Sequence, residues 1–341
     1  MDLVNNNSIT PNKIIKSPLF ILNIFRLISE SNTKIPAATK KLIKKYSKYI
    51  KKCPKSDIRN ELIKIFSVNN SLDIINELDR YNILENIFPE IIKLKKSSPK
   101  YYFHPGGLWQ HTKESLMQLE YILNNLKIFF PKNYKKIDAN IKNHKWLLKL
   151  TILLHDIGKP DTVKIIEGRT RFFGHEKQGA KQAKKLLTRL CFSEQDIKYI
   201  QKLIIEHMRP GSLYQANKPF NVTERALTRF FRDIGNETID LLLITLADRY
   251  SYKSIKGKNS EEFSDYKKFI NKMIELYFSY KNNVTKEKPL INGNMVMKKF
   301  SLQPGPLIGK ILKFVDEYHR KGKIKTVKQA YQLIRRNFIL T

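Results

Sequence analysis

A chain of 341 residues has room for about two domains, and a hydrophobic content of 41% is enough to build cores, which excludes a wholly disordered chain. Its 64 Lys+Arg against 31 Asp+Glu leave a formal charge of +33, an excess that repels itself and attracts polyanions, so RNA or DNA is the expected class of partner. Two cysteines, Cys53 and Cys191, cannot build a disulfide framework or a thiolate metal site, and neither a secretory pattern nor a membrane-spanning run stands near the N-terminus; a cytoplasmic protein with no membrane partner is expected. A compositional bias toward Lys, Ile and Asn would raise Glu together with Lys, and Glu is not raised.

Apolar residues recur every three to four positions along nearly the whole chain, and period-two alternation is almost absent. The fold class expected is all-α, mainly helical, with at most one small β-hairpin near 162–173. After a short extension over 1–17, amphipathic helices are predicted over Ser17–Glu30, Ala37–Lys51, Ser56–Phe66 and Leu72–Leu84, forming a helical block over 18–100. Phe88-Pro89-Glu90 and Lys95–Pro99 mark its end. A second block, 101–255, contains the candidate ligands; within it, Thr162–Ile166 and Thr170–Phe173 flank Glu167-Gly168-Arg169 as a hairpin would. The polar segment Lys253–Ser260 reads as a linker to a basic helical arm over 256–341, with a helix predicted over Glu261–Tyr280 and another opened by Pro304-Gly305-Pro306.

The run Ile152-Leu153-Leu154 ends abruptly in His155-Asp156, followed by Ile157-Gly158-Lys159. Imidazole beside carboxylate at the end of a core-like helix suggests a divalent metal site, because a lone polar group there would be costly to bury. His111, His175, His207 and Asp248 each end or interrupt another apolar run. Taken singly, His111 reads as a surface or capping histidine and Asp248 as a partner of Arg249; together with His155 and Asp156 they read as metal ligands. His175 and His207 are expected to hold a second ion or to contact phosphate. His104, in Tyr102-Phe103-His104-Pro105-Gly106, lines the pocket or fixes a loop. His144 and His319 have no such context and receive no role. A cation held by this set would lower the pKa of bound water from about 15.7 to roughly 7 and neutralise a phosphate oxygen, so phosphoester hydrolysis is the expected chemistry. Asp156 and Lys159 are the expected catalytic residues, with His104, Lys159 and Arg209 contacting substrate.

A histidine, a His-Asp doublet and a distant aspartate resemble the signature of the HD superfamily of metal-dependent phosphohydrolases. The likeness is closer still to the HD domain of bacterial tRNA nucleotidyltransferases and their poly(A) polymerase relatives, carried by Tyr102–Thr112, Leu153–Pro160, Phe172–Ala180 and Ile204–Pro210. At one end, Ile58–Phe66 with Leu72–Pro89 is similar to that family's helical neck. At the other, Pro289–Gly293 with Pro304–Leu312 is similar to its C-terminal region. The resemblance implies one or two manganese, nickel or magnesium ions, and 2′,3′-cyclic phosphates, 2′-phosphomonoesters or other small phosphomonoesters as substrates.

Family members begin with a nucleotidyltransferase head; with roughly seventeen residues before the first neck-like helix, none is expected here. The family's Glu-Asp-Pro-Leu-Arg segment corresponds to Ser17-Pro18-Leu19-Phe20, so the Asp and Arg that choose the nucleotide become Ser17 and Phe20. The neck's Arg-x-x-x-Glu-x-x-Lys keeps Glu61 and Lys64 but has Asp57 for Arg. The expectation is a phosphohydrolase acting on a nucleotide or RNA end, without CCA-adding activity of its own. A non-catalytic RNA-binding module and the body of a split tRNA nucleotidyltransferase with a separate head protein are the alternatives.

Overall fold

Hydrophobic periodicity becomes helix along almost every segment of the computed structural model, which describes residues 11–31, 35–96, 106–216, 222–252, 260–286, 289–320 and 322–338. The first block comprises α1 (Pro11–Lys16), α2 (Phe20–Ser31), α3 (Ala37–Tyr46), α4 (Lys55–Ser67), α5 (Ser71–Arg80), α6 (Ile83–Ile87) and α7 (Ile91–Lys96). Two predicted helices are broken. A 3-10 turn over Ser47–Lys52 follows α3. The continuous helix expected over Leu72–Leu84 stops at Arg80 because Asn82 takes a left-handed conformation (φ 55°), which asparagine tolerates better than most residues.

Next come α8 (Gly107–Asn124), α9 (Leu126–Phe129), α10 (Tyr134–Ile141), α11 (Lys145–Leu154), the hairpin β1 (Lys164–Ile166) and β2 (Arg169–Arg171), α12 (His175–Arg189), α13 (Glu194–Glu206), α14 (Arg209–Ala216), α15 (Glu224–Ile234) and α16 (Thr238–Tyr250). The hairpin is antiparallel, with Lys164 opposite Arg171 and Ile166 opposite Arg169. Its turn is Glu167-Gly168, both at positive φ, the backbone a two-residue hairpin loop needs.

Helix α11 is the centre of this block. Every residue from Leu147 to Leu154 is buried, which is why the run shows no polar face. It packs against α8, α13 and α16 and, from the first block, α4. Even Lys149 is buried: its ammonium donates to the carbonyl of Asn69 (3.0 Å) and to Glu120 (2.8 Å), while Glu120 also accepts from Ser71 N and Oγ (2.7 and 2.6 Å). The turn between α4 and α5 is thereby tied to the core that carries the His-Asp doublet.

Helix α17 (Ser260–Lys286) follows, and its first part joins the same core: the Phe263 ring meets Tyr250, and Tyr266 and Phe269 meet Tyr214. Compactness divides the chain within α17, into units 1–277 and 278–341. The second unit contains α18 (Gly293–Phe300), α19 (Pro306–Arg320) and α20 (Val327–Phe338), closed over Ile291, Val296, Ile311, Val315 and Ile334. No helix among the described residues is long and apolar enough to cross a membrane. Most of the predicted linker 253–260 lies outside the described residues, as does His104.

Candidate metal centre

Four imidazoles and two carboxylates, from five separate segments, meet beside α11. His111 comes from the first turns of α8, His155 and Asp156 from the end of α11, His175 from the start of α12, His207 from the residue after α13, and Asp248 from the last turn of α16. His111, His155, Asp156, His175 and His207 are all at most 5% exposed. Asp248, with a side chain 24% exposed, opens toward solvent.

The six form two adjacent triads. His111, His155 and Asp248 make one, and Asp156, His175 and His207 the other, with the donor atoms of each within 4.8 Å of one another. The Asp156 carboxylate lies between them. Its Oδ2 is 3.0 Å from His111 Nε2 and 3.3 Å from His155 Nε2, whereas its Oδ1 faces His175 Nε2 at 3.5 Å and His207 Nε2 at 3.8 Å. Asp248 Oδ1 completes the first triad, 3.2 Å from His111 Nε2 and 3.5 Å from His155 Nε2.

Local backbone geometry fixes which ring nitrogen faces inward. His155 donates from Nδ1 to the Ile152 carbonyl (2.7 Å), His207 to that of Ile204 (2.6 Å) and His175 to that of Phe172 (2.8 Å). In the first two the acceptor is a last-turn carbonyl that the helix itself leaves unsatisfied, so one side chain closes the helix and offers Nε2 to the centre. His111 Nδ1 lies 3.0 Å from Ser251 Oγ, whose own hydroxyl donates to the Asp248 carbonyl (2.7 Å). The serine therefore accepts from His111, and the Nδ1 contacts turn the Nε2 atoms of all four histidines toward the centre.

Gly158 permits this convergence. A methyl group there would stand 2.3 Å from the His175 carbonyl oxygen and 2.4 Å from Gly179 N, so only glycine lets the turn after the doublet lie against α12.

The two carboxylates draw positive charge to the centre. Burial opposes the imidazolium of His155, yet Asp156 and Asp248 hold its pKa up at about 10. Burial also opposes ionisation of Asp156 and Asp248, but the surrounding imidazoles, with Lys159 beside Asp156, keep both well below the usual carboxylate range. His207 is driven down to about 3 by burial and by the charge on His155, and burial lowers His175. Asp156 Oδ1, Asp248 Oδ1 and His155 Nε2 are buried with no hydrogen-bond partner among the described residues. Nitrogen and oxygen donors in this number, with lone pairs converging at such spacings, fit one or two divalent cations.

The other expected site residues divide. Lys159 forms an ion pair with Asp156 Oδ2, and its ammonium also lies near the Phe172 ring. Arg209 is turned elsewhere: its guanidinium pairs with Glu206 (3.3 Å) and Asp233 (2.9 Å) over the Phe230 ring. Arg249 pairs with Glu262, so Asp248 is left to the histidines. Sequence reasoning missed Ser251 and Tyr252, whose ring stacks on His111 at 4.9 Å; their place within a turn of Asp248 was the available signal. A cavity of about 600 Å³ reaches the centre at His207 and Asp248 and is bordered by Met208, Tyr214, Arg249 and Tyr266.

Residues 108–253 match the HD domain family, and residues 32–94 match the family described as the probable RNA and SrmB-binding site of polymerase A. The chain thus carries an HD domain preceded by a segment similar to that polymerase A family. Its homologues are tRNA nucleotidyltransferases. It is 26% identical over 283 residues to the A-adding tRNA nucleotidyltransferase of Deinococcus radiodurans, covering 82% of this chain and 57% of the relative. With the CC-adding tRNA nucleotidyltransferase of Thermus thermophilus it shares 24% identity over 317 residues, 89% of this chain and 63% of that one. Among solved structures, the Thermotoga maritima CCA-adding enzyme complexed with tRNA overlays with a TM-score of 0.48 and 15% identity, covering 97% of this chain and 63% of that chain. The chain spans less than two thirds of the length of each of these proteins.

The neck motif has a feature the sequence did not suggest. Glu61 is buried, and with Asp57 in place of the expected Arg it is matched by Lys64 (2.6 Å) and by Arg26 of α2 (3.7 Å).

Proposed function

We propose that the HD domain is a metal-dependent phosphohydrolase acting on a nucleotide or an RNA end, of the phosphatase or 2′,3′-cyclic phosphodiesterase type. The observation that carries this reading is the Asp156 carboxylate, whose two oxygens face the histidines of both triads, a donor set suited to one or two ions of manganese, nickel or magnesium. A cation bound there supplies a hydroxide at neutral pH and a positive charge for a phosphate oxygen. His111, His155, Asp156 and Asp248 hold the first ion; His175 and His207 hold a second or contact the phosphate. Asp156 fixes the spacing between the two positions and is catalytic in that sense. Lys159, already drawn to the Asp156 carboxylate, brings a point charge to a phosphate oxygen beside it. Asp248, the most exposed ligand, marks the side from which substrate enters, through the neighbouring cavity. We assign the division of labour to the helical neck over 18–100, which contacts RNA, the HD domain over 101–255 and the basic arm from 256 onward.

The match of residues 32–94 to an RNA-binding family and the charge of +33 support an RNA partner, probed by the salt dependence of binding. The hydrolase reading is tested by loading purified protein with manganese or nickel, measuring bound metal and assaying a panel of phosphoesters. Asp156→Ala is expected to lose both metal and turnover while keeping its helical circular dichroism. Wild type that takes up no ion would leave an RNA-binding module and end the enzyme reading.

A further inference from the structure

Between Lys159 and His175 the chain makes its only β-hairpin among the described residues, and the hairpin lies at the surface, with Ile165 78% exposed. Lys164 and Arg171 are cross-strand partners, and Arg169 sits two residues along from Arg171, so three cations point from one face. Like charges placed directly opposite each other destabilise a strand pair. Among the described residues none of the three has a carboxylate within ion-pair distance. Immediately after the hairpin, Phe173 is 68% exposed, two residues before the ligand His175.

Helix α12 continues the same character. Lys181, Lys184, Lys185 and Arg189 line a groove of about 870 Å³ along it, with Gln182 and Gln201. Arg189 is held by Glu90, but among the described residues the three lysines have no ion-pair partner. The groove is tied to the turn that follows the His-Asp doublet: Gln182 bonds Asp161, in the 3-10 turn that begins with Lys159. From Gln178 to Arg189 the helix rises about 16 Å, room for a short run of nucleotides.

We propose that the hairpin, Phe173 and the basic face of α12 form a track for the phosphate backbone of a single-stranded RNA, so that the substrate delivered to the adjoining centre is a strand end and not a free mononucleotide. Exposed cations without partners meet successive phosphates, and an exposed aromatic ring stacks on a base, which single-stranded RNA offers and a duplex does not. The track rests on the phosphohydrolase reading only for what happens at its end.

Binding is measured with a short fluorescein-labelled oligoribonucleotide ending in a 2′,3′-cyclic phosphate, over a range of salt concentrations. Turnover of that RNA and of 2′,3′-cyclic AMP is followed in parallel. Lys181→Ala/Lys184→Ala/Lys185→Ala is expected to keep the melting temperature, metal content and cyclic-AMP turnover of wild type, while the slope of log K against log salt flattens by about 2, from about 0.7 per lost phosphate contact. Phe173→Ala should weaken RNA binding about fivefold or more, with Phe173→Tyr restoring it. An unchanged slope in the triple variant overturns the track. So does an equal flattening in Lys127→Ala/Lys135→Ala/Lys142→Ala, which removes the same charge from exposed positions in and around α9 and α10. Wild type that hydrolyses neither probe, with the slope still dependent on the α12 lysines, sinks the hydrolase reading and supports the track.

Discussion

Replacing Gly158 by alanine tests whether the close approach of the doublet turn to α12 is what assembles the second triad. The new methyl would lie 2.3 Å from the His175 carbonyl oxygen, where real Cβ atoms essentially never come within 3.0 Å. Its other close neighbours, Gly179 N at 2.4 Å and Gly179 Cα at 2.9 Å, are also backbone, so no side chain can swing aside. Helix α12 must therefore retreat by roughly 0.7 Å or more, carrying His175 away from Asp156 Oδ1, from which it is separated by 3.5 Å. Overpacking of this kind costs about 1–3 kcal/mol. For a domain of this size each kcal/mol lowers the melting temperature by about 2–4 °C. Displacement of a reacting group by about 1 Å costs up to about 100-fold in rate. Gly158→Ala is expected to keep metal at His111, His155 and Asp248 while binding less of it at Asp156, His175 and His207, so titration with manganese should show a weakened second event. Isothermal titration and thermal melting read both effects. A variant with wild-type melting and wild-type metal stoichiometry would refute the packing argument.

Chelation should lower the melting temperature of wild type, since an ion at about 100 times its dissociation constant stabilises the folded state by about 2.7 kcal/mol; Asp156→Ala should not respond, and equal responses would remove the centre as the binding site. Lys149→Met leaves Glu120 buried without its cation and should cost about 3–5 kcal/mol in denaturant unfolding, part of which Lys149→Met/Glu120→Gln regains. The hydrogen bond from His144 to Asp240 (3.1 Å) outweighs burial and raises the His144 pKa above its ordinary value. Its contribution to stability is thus complete below about pH 6.5 and is lost as the pH rises through the raised folded value. The melting gap between wild type and His144→Gln should narrow over that interval, and a gap independent of pH would sink this assignment.

The residue types of the centre were legible because each sits where an apolar period ends: His155 after Leu154, His207 after Ile204-Ile205-Glu206, Asp248 after Ala247. The hairpin was legible from its turn, and most helices from their spacing. The break at Asn82 was not, since a left-handed asparagine and a helical one look alike in a periodic pattern. Nor was the orientation of Arg209, two residues from the candidate ligand His207 yet held by Asp233, twenty-four positions downstream.

Composition, periodicity and the punctuation of apolar runs by His and Asp belong to the sequence alone, because burial cost forbids such side chains in those places unless something satisfies them. Convergence is different. That one carboxylate would serve both triads, that Ser251 would set the tautomer of His111, and that Gly158 would admit α12 all depend on atoms brought together across long separations in the chain. Packing distances of this kind carry no local signature, so only the tertiary structure decided them.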